Sequence, residues 1–195
     1  IKNANVGFYQ NSLVYIITMA LMIIGATSFS IHYRIIKTKG KSVLKDVQFQ
    51  LMICLIVIAS VFILITNKMV PIEELFTIVS AITTTGANVV PPYELARWSS
   101  ASLIVLMVLM LIGGSSGSTG GGLKLIRIIT VLKGMNLTVT NLVSPEGRVV
   151  STRIGGKKIN EREIKEASAY IVIFLIFLVC GWIIMTLYGY DPFTA

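Results

Sequence analysis

The sequence predicts an all-α membrane protein built on a helix–pore-loop–helix repeat whose second helix is broken, with a small cytoplasmic β-hairpin possible. Three observations predict it. First, the chain of 195 residues is 54% hydrophobic and 13% charged, against the roughly 25% charged residues of a soluble domain. Second, an apolar stretch at 71–82 is too short to cross the roughly 30 Å hydrocarbon core as a helix, yet it ends in a polar turn and lies between longer apolar runs. Third, Gly113, Gly114, Ser115, Ser116, Gly117, Ser118, Thr119, Gly120, Gly121 and Gly122 place six glycines in ten residues between two apolar segments. Glycine costs a helix about 1 kcal/mol relative to alanine, so no helix runs through them. Lipid tolerates irregular backbone only where it lines a water-filled cavity or is buried in protein. These ten residues therefore read as a break in a membrane helix beside a polar pathway.

The elements follow in order. Residues 9–33 form a first span: 12–31 is almost wholly apolar, and about 20 such residues suffice to cross. It ends in His32-Tyr33-Arg34, and a basic loop follows with Lys37, Lys39, Lys41 and Lys45. Residues 46–67 are a second span, interrupted by Gln48 and Gln50 near its start. Pro71 suits the first turn of a helix, and Glu73 and Glu74 suit the positive end of its dipole, so 71–82 reads as a pore helix. The polar turn 83–88 follows, and Pro91-Pro92 bars further helix. Trp98 is expected as an interfacial anchor. Residues 97–132 are the broken span, resuming after the glycines with Lys124 and Arg127. Residues 133–162 read as a polar loop, in which 148–154, Gly155-Gly156 and 157–159 pattern as a hairpin with a glycine turn. Residues 163–188 are the last span, closed by Trp182 and Tyr188, and Asp191-Pro192-Phe193 resembles the start of another short helix. With its opening at Ile1 and its stop in mid-pattern at Ala195, the chain reads as one transmembrane fragment, 1–195, of a longer protein.

Charge sets the orientation. Five basic residues lie in 34–46 and nine in 124–165, whereas 67–97 holds only Lys68 and Arg97 against Glu73, Glu74 and Glu94. Cytoplasmic loops collect Lys and Arg. Residues 34–46 and 124–165 are thus expected inside, 67–97 outside, in a multi-pass protein of the cell membrane. The net charge of +8 is thereby explained by topology, with lipid and not nucleic acid as the partner. Cys54 and Cys180 sit in apolar runs, where thiols act as small hydrophobes, and they imply no metal or disulfide framework.

Span, short helix, polar turn, span is an arrangement that builds a selectivity filter, in which backbone carbonyls replace the water shell of an ion. Thr and Gly free the backbone from helix so that carbonyls can turn inward. The preceding helix directs its negative end at the path, which favours a cation.

The residues Ser80-Ala81-Ile82-Thr83-Thr84-Thr85-Gly86, followed by the run from Gly113 to Leu123-Lys124, resemble the Trk/Ktr/HKT superfamily of potassium-translocating subunits, most closely its TrkH and KtrB branch at the third repeat. That family folds four helix–pore-loop–helix repeats around one pore. The resemblance implies the end of repeat 2, all of repeat 3 and the start of repeat 4. It implies that Thr84, Thr85, Gly86 and Ala87 form the filter, with potassium, the transported ligand, at Thr84, Thr85 and Gly86. Glycine at position 86 accompanies potassium selectivity in the family. Ala87 stands where the family often has phenylalanine. The run 113–122 would be the gate loop beneath the filter. Lys124 and Arg127, read from the residues alone, are either inner-leaflet anchors that snorkel or charges at the inner mouth that repel cations or help hold the gate loop. The resemblance also implies a homodimer, a cytoplasmic nucleotide-binding regulatory subunit of the TrkA/KtrA kind, and no covalent cofactor.

Other chemistries fit less well. Gly113-Gly114-Ser115-Ser116-Gly117 matches the nucleophile-elbow pattern, but the one histidine, His32, is expected at the end of a different helix. The run 117–124 lacks the Gly-Lys-[Ser/Thr] that a phosphate loop needs. Asn136-Leu137-Thr138 is a glycosylation sequon on the expected inner side. No enzyme is expected. The alternatives left open are a secondary transporter of an organic substrate, whose broken helix binds it, and a sodium-conducting member of the same superfamily.

Overall fold

The computed structural model describes residues 5–38, 46–67, 71–143 and 153–189. Lys39, Lys41, Lys45 and Lys68, residues 148–152 of the expected hairpin, and the expected helix start at 191–193 lie outside the described residues. The chain divides into two compact units, Ile1–Ile126 and Arg127–Ala195.

The first unit is organised around one short buried helix. A 3-10 turn, Asn5–Tyr9, leads into α1 (Ser12–Ala26), α2 (Phe29–Thr38), α3 (Val47–Asn67), α4 (Pro71–Thr83), α5 (Pro92–Leu95) and α6 (Ser100–Ile112). Helix α4 packs against α1, α3 and α6. Its last six residues, 78–83, are all buried, and Phe76, Ile78 and Ile82 are fully so. Its two acids, Glu73 and Glu74, are confined to the first turn and the remainder is predominantly apolar, so α4 needs an interior, and its three neighbours supply it. Helix α1 turns Tyr15, Met19, Met22 and Ala26 inward, the spacing of one helical face. Its other faces expose Leu13, Ile16, Ile17, Leu21 and Ile24, and α3 likewise buries Met52, Ile56, Ala59 and Ile63 and exposes Val57, Ile58, Val61 and Ile65. Apolar outer faces of this extent belong against lipid or further protein, not against water.

Two expectations change in the first unit. The first span is not one helix: α1 and α2 meet at 99° across Thr27-Ser28. The Thr27 hydroxyl bonds Ile23 O at 2.7 Å, its N–H bonds Ile24 O, and the chain is thereby turned out of helix without a proline. Trp98, expected at the interface, is buried at 6% exposure within the core cluster. The Ser99 N–H just after it bonds Asn67 Oδ1 at 3.1 Å, which ties the start of α6 to the end of α3 and holds the indole inside.

The second unit takes up α7 (Leu125–Val143) from Arg127 onward, the two-residue strands β1 (Arg153–Ile154) and β2 (Lys157–Lys158), and α8 (Glu161–Leu187). The strands pair antiparallel, Arg153 with Lys158, across Gly155-Gly156, both at positive φ. Residues 133–143, expected as loop, continue α7. Leu132, Met135, Val139 and Leu142 recur at helical spacing, and that periodicity outweighs the local polarity. Where α7 passes α8, a Cβ on Gly134 would lie 2.6 Å from Ile164 Cγ2, so the helices approach at a residue with no side chain. Glu163, in the first turn of α8, accepts from the Asn160 N–H at 3.3 Å and pairs with Lys157 at 2.8 Å.

Among the described residues, α3 and α8 are long and apolar enough to cross a membrane, and the bent pair α1–α2 makes a third if taken as one span. Phe76, fully buried with its ring edge-on to Tyr15 at 5.8 Å, is the keystone of the first unit. Phe76→Ala is expected to cost about 3–5 kcal/mol and to lower the thermal midpoint of the detergent-purified protein. Ile65→Ala, at an exposed position, is the control; equal midpoints for the two variants would refute a core centred on α4.

Candidate functional site

The site begins where α4 ends. The Thr84 N–H bonds Ala81 O and the Thr85 N–H bonds Ser80 O, both at 3.1 Å. This is the Schellman closure of a helix, which places one residue in the left-handed region and usually recruits glycine there. Here that residue is Thr84, at φ 54°, and a β-branched side chain at positive φ is uncommon and strained. Its hydroxyl is held on both sides, donating to Thr83 O at 2.7 Å and accepting from the Gly121 N–H. Thr83 Oγ1 and Thr85 Oγ1 share a hydrogen bond at 2.8 Å. Gly86 follows at φ 71°, and no atom lies within 4 Å of where its Cβ would sit, so glycine is required there by conformation and not by crowding.

Beyond Gly86 the carbonyls are spoken for. Ala87 O accepts from Ser80 Oγ at 2.7 Å, and Asn88 O from the Val6 and Gly7 N–H groups. Among the described residues, the carbonyls of Thr84, Thr85 and Gly86 accept no hydrogen bond. Thr84 is half-buried and Thr85 and Gly86 are exposed, so these three carbonyls are open to water or to a bound ion. Ala87, grouped with these three on sequence grounds, is placed differently: its carbonyl is tied to α4 and its side chain packs against the core.

The glycine run lies against this turn. A Cβ on Gly120 would be 3.1 Å from Thr83 O, and one on Gly121 3.4 Å from Thr84 Oγ1. The run is not slack. Ser115 N–H bonds Ala26 O at 3.0 Å, Thr119 N–H and Oγ1 both bond Gly25 O, and the Phe29 N–H bonds Gly117 O at 2.9 Å. The loop therefore fills the gap between α1 and α2. Gln48 Oε1 accepts from the Ser116 N–H at 2.8 Å. Leu123 and Lys124 N–H groups return to Leu111 O and Ile112 O, closing the last carbonyls of α6. The chain crosses itself at Gly113 and Gly122, both at positive φ, where a Cβ on Gly113 would stand 2.2 Å from Gly121 O. Gly114 lies against Ala26, with 2.9 Å from its notional Cβ to Ala26 O. Ser118 Oγ bonds Ser115 O, and the Ser115 hydroxyl is fully buried with no partner among the described residues.

Two cavities flank the turn. One, of about 300 Å³, is lined by Thr18, Thr83, Thr85 and Thr119 beside Gly25 and Met22. The other, of about 360 Å³, is walled mainly by Leu103, Leu106, Met107 and Met110 of α6 and touches Thr84 and Gly86. Carbonyl and hydroxyl oxygens with no carboxylate among them suit a monovalent cation that is passed on, not a tightly held divalent ion. No cluster of three His, Cys, Asp or Glu occurs among the described residues. His32 is committed elsewhere: its Nε2 lies 3.0 Å from Ile24 O and donates to it.

Lys124 and Arg127, grouped at one mouth on sequence grounds, are held by different groups. The Lys124 ammonium bonds Gly120 O and Ser118 Oγ. Arg127 belongs to the second unit, where its guanidinium lies 3.8 Å over the Tyr170 ring, within cation–π range. Sequence reasoning missed Gly25, Ala26 and Gln48 as the loop's anchors. A signal was present: Met19-Ala20-Leu21-Met22-Ile23-Ile24-Gly25 recurs as Met107-Val108-Leu109-Met110-Leu111-Ile112-Gly113, and in both copies the helix breaks just after.

A family model described as "TrkH: Cation transport protein" matches residues 67–194, well over half the chain. An uncharacterized cation transporter of Methanocaldococcus jannaschii is 30% identical over 98% of this chain and 40% of its own length. The Trk system potassium uptake protein TrkH of Halomonas elongata is 30% identical over 91% of this chain and 39% of its own. The crystal structure of the potassium transporter TrkH from Vibrio parahaemolyticus shares the fold, with a TM-score of 0.84 at 23% identity over 98% of this chain and 42% of that one. The chain thus spans about two-fifths of the length of these relatives.

The glycines of the loop should not be equivalent. Alanine at Gly117, φ 71° with Ser28 Oγ at 3.4 Å, costs about 1–2 kcal/mol for the left-handed backbone. Alanine at Gly113 adds a collision with backbone and is expected to lower the thermal midpoint several degrees further. Equal midpoints for the two variants would show that the self-crossing at 113 and 122 does not hold the loop.

Proposed function

We propose that this chain, which belongs to the TrkH family of cation transport proteins, forms part of a potassium pathway across the cell membrane. Thr84, Thr85 and Gly86 are its filter, and 113–122 is the gate beneath. The observation that carries the reading is the three unpaired carbonyls in a row at the C-terminal end of a buried helix. That end bears the negative pole of the helix dipole, so charge and geometry favour a cation at one place. The glycine run supports the gating part, because it lies directly against Thr83 and Thr84 and obstructs the path there. Transport, and no covalent chemistry, is the activity. The relatives named for potassium uptake support potassium as the ion.

Residues 34–46 and 124–165 face the cytoplasm, and 67–97 the exterior. The intact protein is a homodimer, and a nucleotide-binding regulatory subunit docks on its inner face. The basic hairpin bearing Arg153, Lys157 and Lys158, all exposed, is the contact for that subunit. Reversing these three charges is expected to abolish co-purification of the regulator without changing basal uptake; undiminished co-purification would remove the hairpin from the interface.

Gly86→Ser tests the filter. The added Cβ has space but the wrong φ, so the turn must re-form with its carbonyls displaced. In the intact transporter, expressed in potassium-uptake-deficient cells, preference for potassium over sodium is expected to fall at least about ten-fold, the effect of about 1.4 kcal/mol in differential binding. An unchanged preference would exclude Gly86 from the filter. Sodium preference in the wild-type protein would select the sodium-conducting alternative.

A further inference from the structure

The hydrogen bonds along the glycine loop are unevenly spread. Residues 113–119 are fixed by α6, by the α1–α2 junction through Gly25, Ala26 and Phe29, and by Gln48. Residues 122–124 are fixed by Leu111 and Ile112. Gly120 and Gly121, between these anchors, are held by two contacts among the described residues: the Gly121 N–H to Thr84 Oγ1 and the Lys124 ammonium to Gly120 O. These same two residues lie against Thr83 and Thr84. The part of the loop that lies against the turn is therefore the part whose bonds go to Thr84 and Lys124 and not to a helix backbone.

Lys124 reaches its partners by an unusual route. Its backbone is left-handed, at φ 70°, a conformation costing a non-glycine residue about 1–3 kcal/mol and found at switch regions. A charged side chain within membrane depth needs oxygen partners, and Lys124 has Gly120 O and Ser118 Oγ. Its ammonium reaches back over the loop it follows.

We infer that Lys124 is the positioning residue that holds the gate shut: its ammonium clamps a two-residue tip, Gly120-Gly121, under the filter, while the remainder of the loop stays fixed when the path opens. The inference rests on the gate reading proposed above and narrows it to one cation and one hinge-like pair.

The test uses the intact transporter in potassium-uptake-deficient cells, with rubidium-86 uptake measured per surface-expressed molecule and potassium-over-sodium preference measured alongside. Lys124→Met removes the clamp and is expected to raise uptake roughly ten-fold, the shift in closed-to-open ratio for losing one charge-assisted hydrogen bond, with ion preference unchanged. Lys124→Arg, which keeps a cationic donor, is expected to restore the low wild-type rate; a purely space-filling role would not be rescued in this way. Lys124→Gln, uncharged but nearly isosteric, serves if the methionine variant does not reach the membrane, and is expected to lie between. Wild-type uptake in Lys124→Met or Lys124→Gln, or a changed ion preference in either, overturns the clamp. Absence of potassium uptake by the wild-type protein, or an intact preference in Gly86→Ser, would instead fault the underlying pore reading.

Discussion

Two broken helices complete each other here, and the rest of the structure depends on it. Helix ends leave four carbonyls without partners, and inside a bilayer no water is at hand to meet them. At the end of α1 all four are met: Ile23 O by the Thr27 hydroxyl, Ile24 O by Thr27 N–H and His32, Gly25 O by Thr119, and Ala26 O by Ser115. Two of these donors come from the glycine run, 89 and 94 residues away in sequence. The run in turn has its Gly117 carbonyl capped by the first N–H of α2. Neither break is tenable in lipid alone; together they close each other's hydrogen bonds and leave α4 a floor to end upon.

That exchange also decides what was legible in the sequence. The short helix from Pro71, its polar ending and the glycine run were legible because each departs from the composition of a membrane span within a few residues. The break at Thr27-Ser28 was not. Gly25-Ala26-Thr27-Ser28 contains a single glycine and no proline, and the turn there is stabilised by partners from Ser115, Gly117 and Thr119 that no local window can reveal. Gln48 was noticed as a polar interruption of a span but not as a ligand of Ser116, for the same reason. Trp98 was assigned by residue type to the interface, where tryptophan is common, whereas the tie between Ser99 and Asn67 draws it inside. Residues 133–143 looked like loop by polarity, and the helical recurrence of Leu132, Met135, Val139 and Leu142 prevailed.

Conformational cost is concentrated where the two parts of the site meet. Of the non-glycine residues at positive φ, Thr84 and Lys124 stand on either side of the contact between turn and loop, and each is held in place by bonds to the glycine run. A glycine at either position would relax the backbone and lose the side-chain contact. The chain keeps the less comfortable residue and with it a mechanical connection between two segments 36 or more positions apart.

On the filter reading proposed above, the three unpaired carbonyls of Thr84, Thr85 and Gly86 couple the fold to the ion it carries. A cation that binds these oxygens in the native state and not in the unfolded chain adds stability as the logarithm of its concentration over its dissociation constant. The salt in which such a protein is extracted, stored or crystallised then becomes a component of its fold, and two buffers of equal ionic strength but different cation are not equivalent solvents for it.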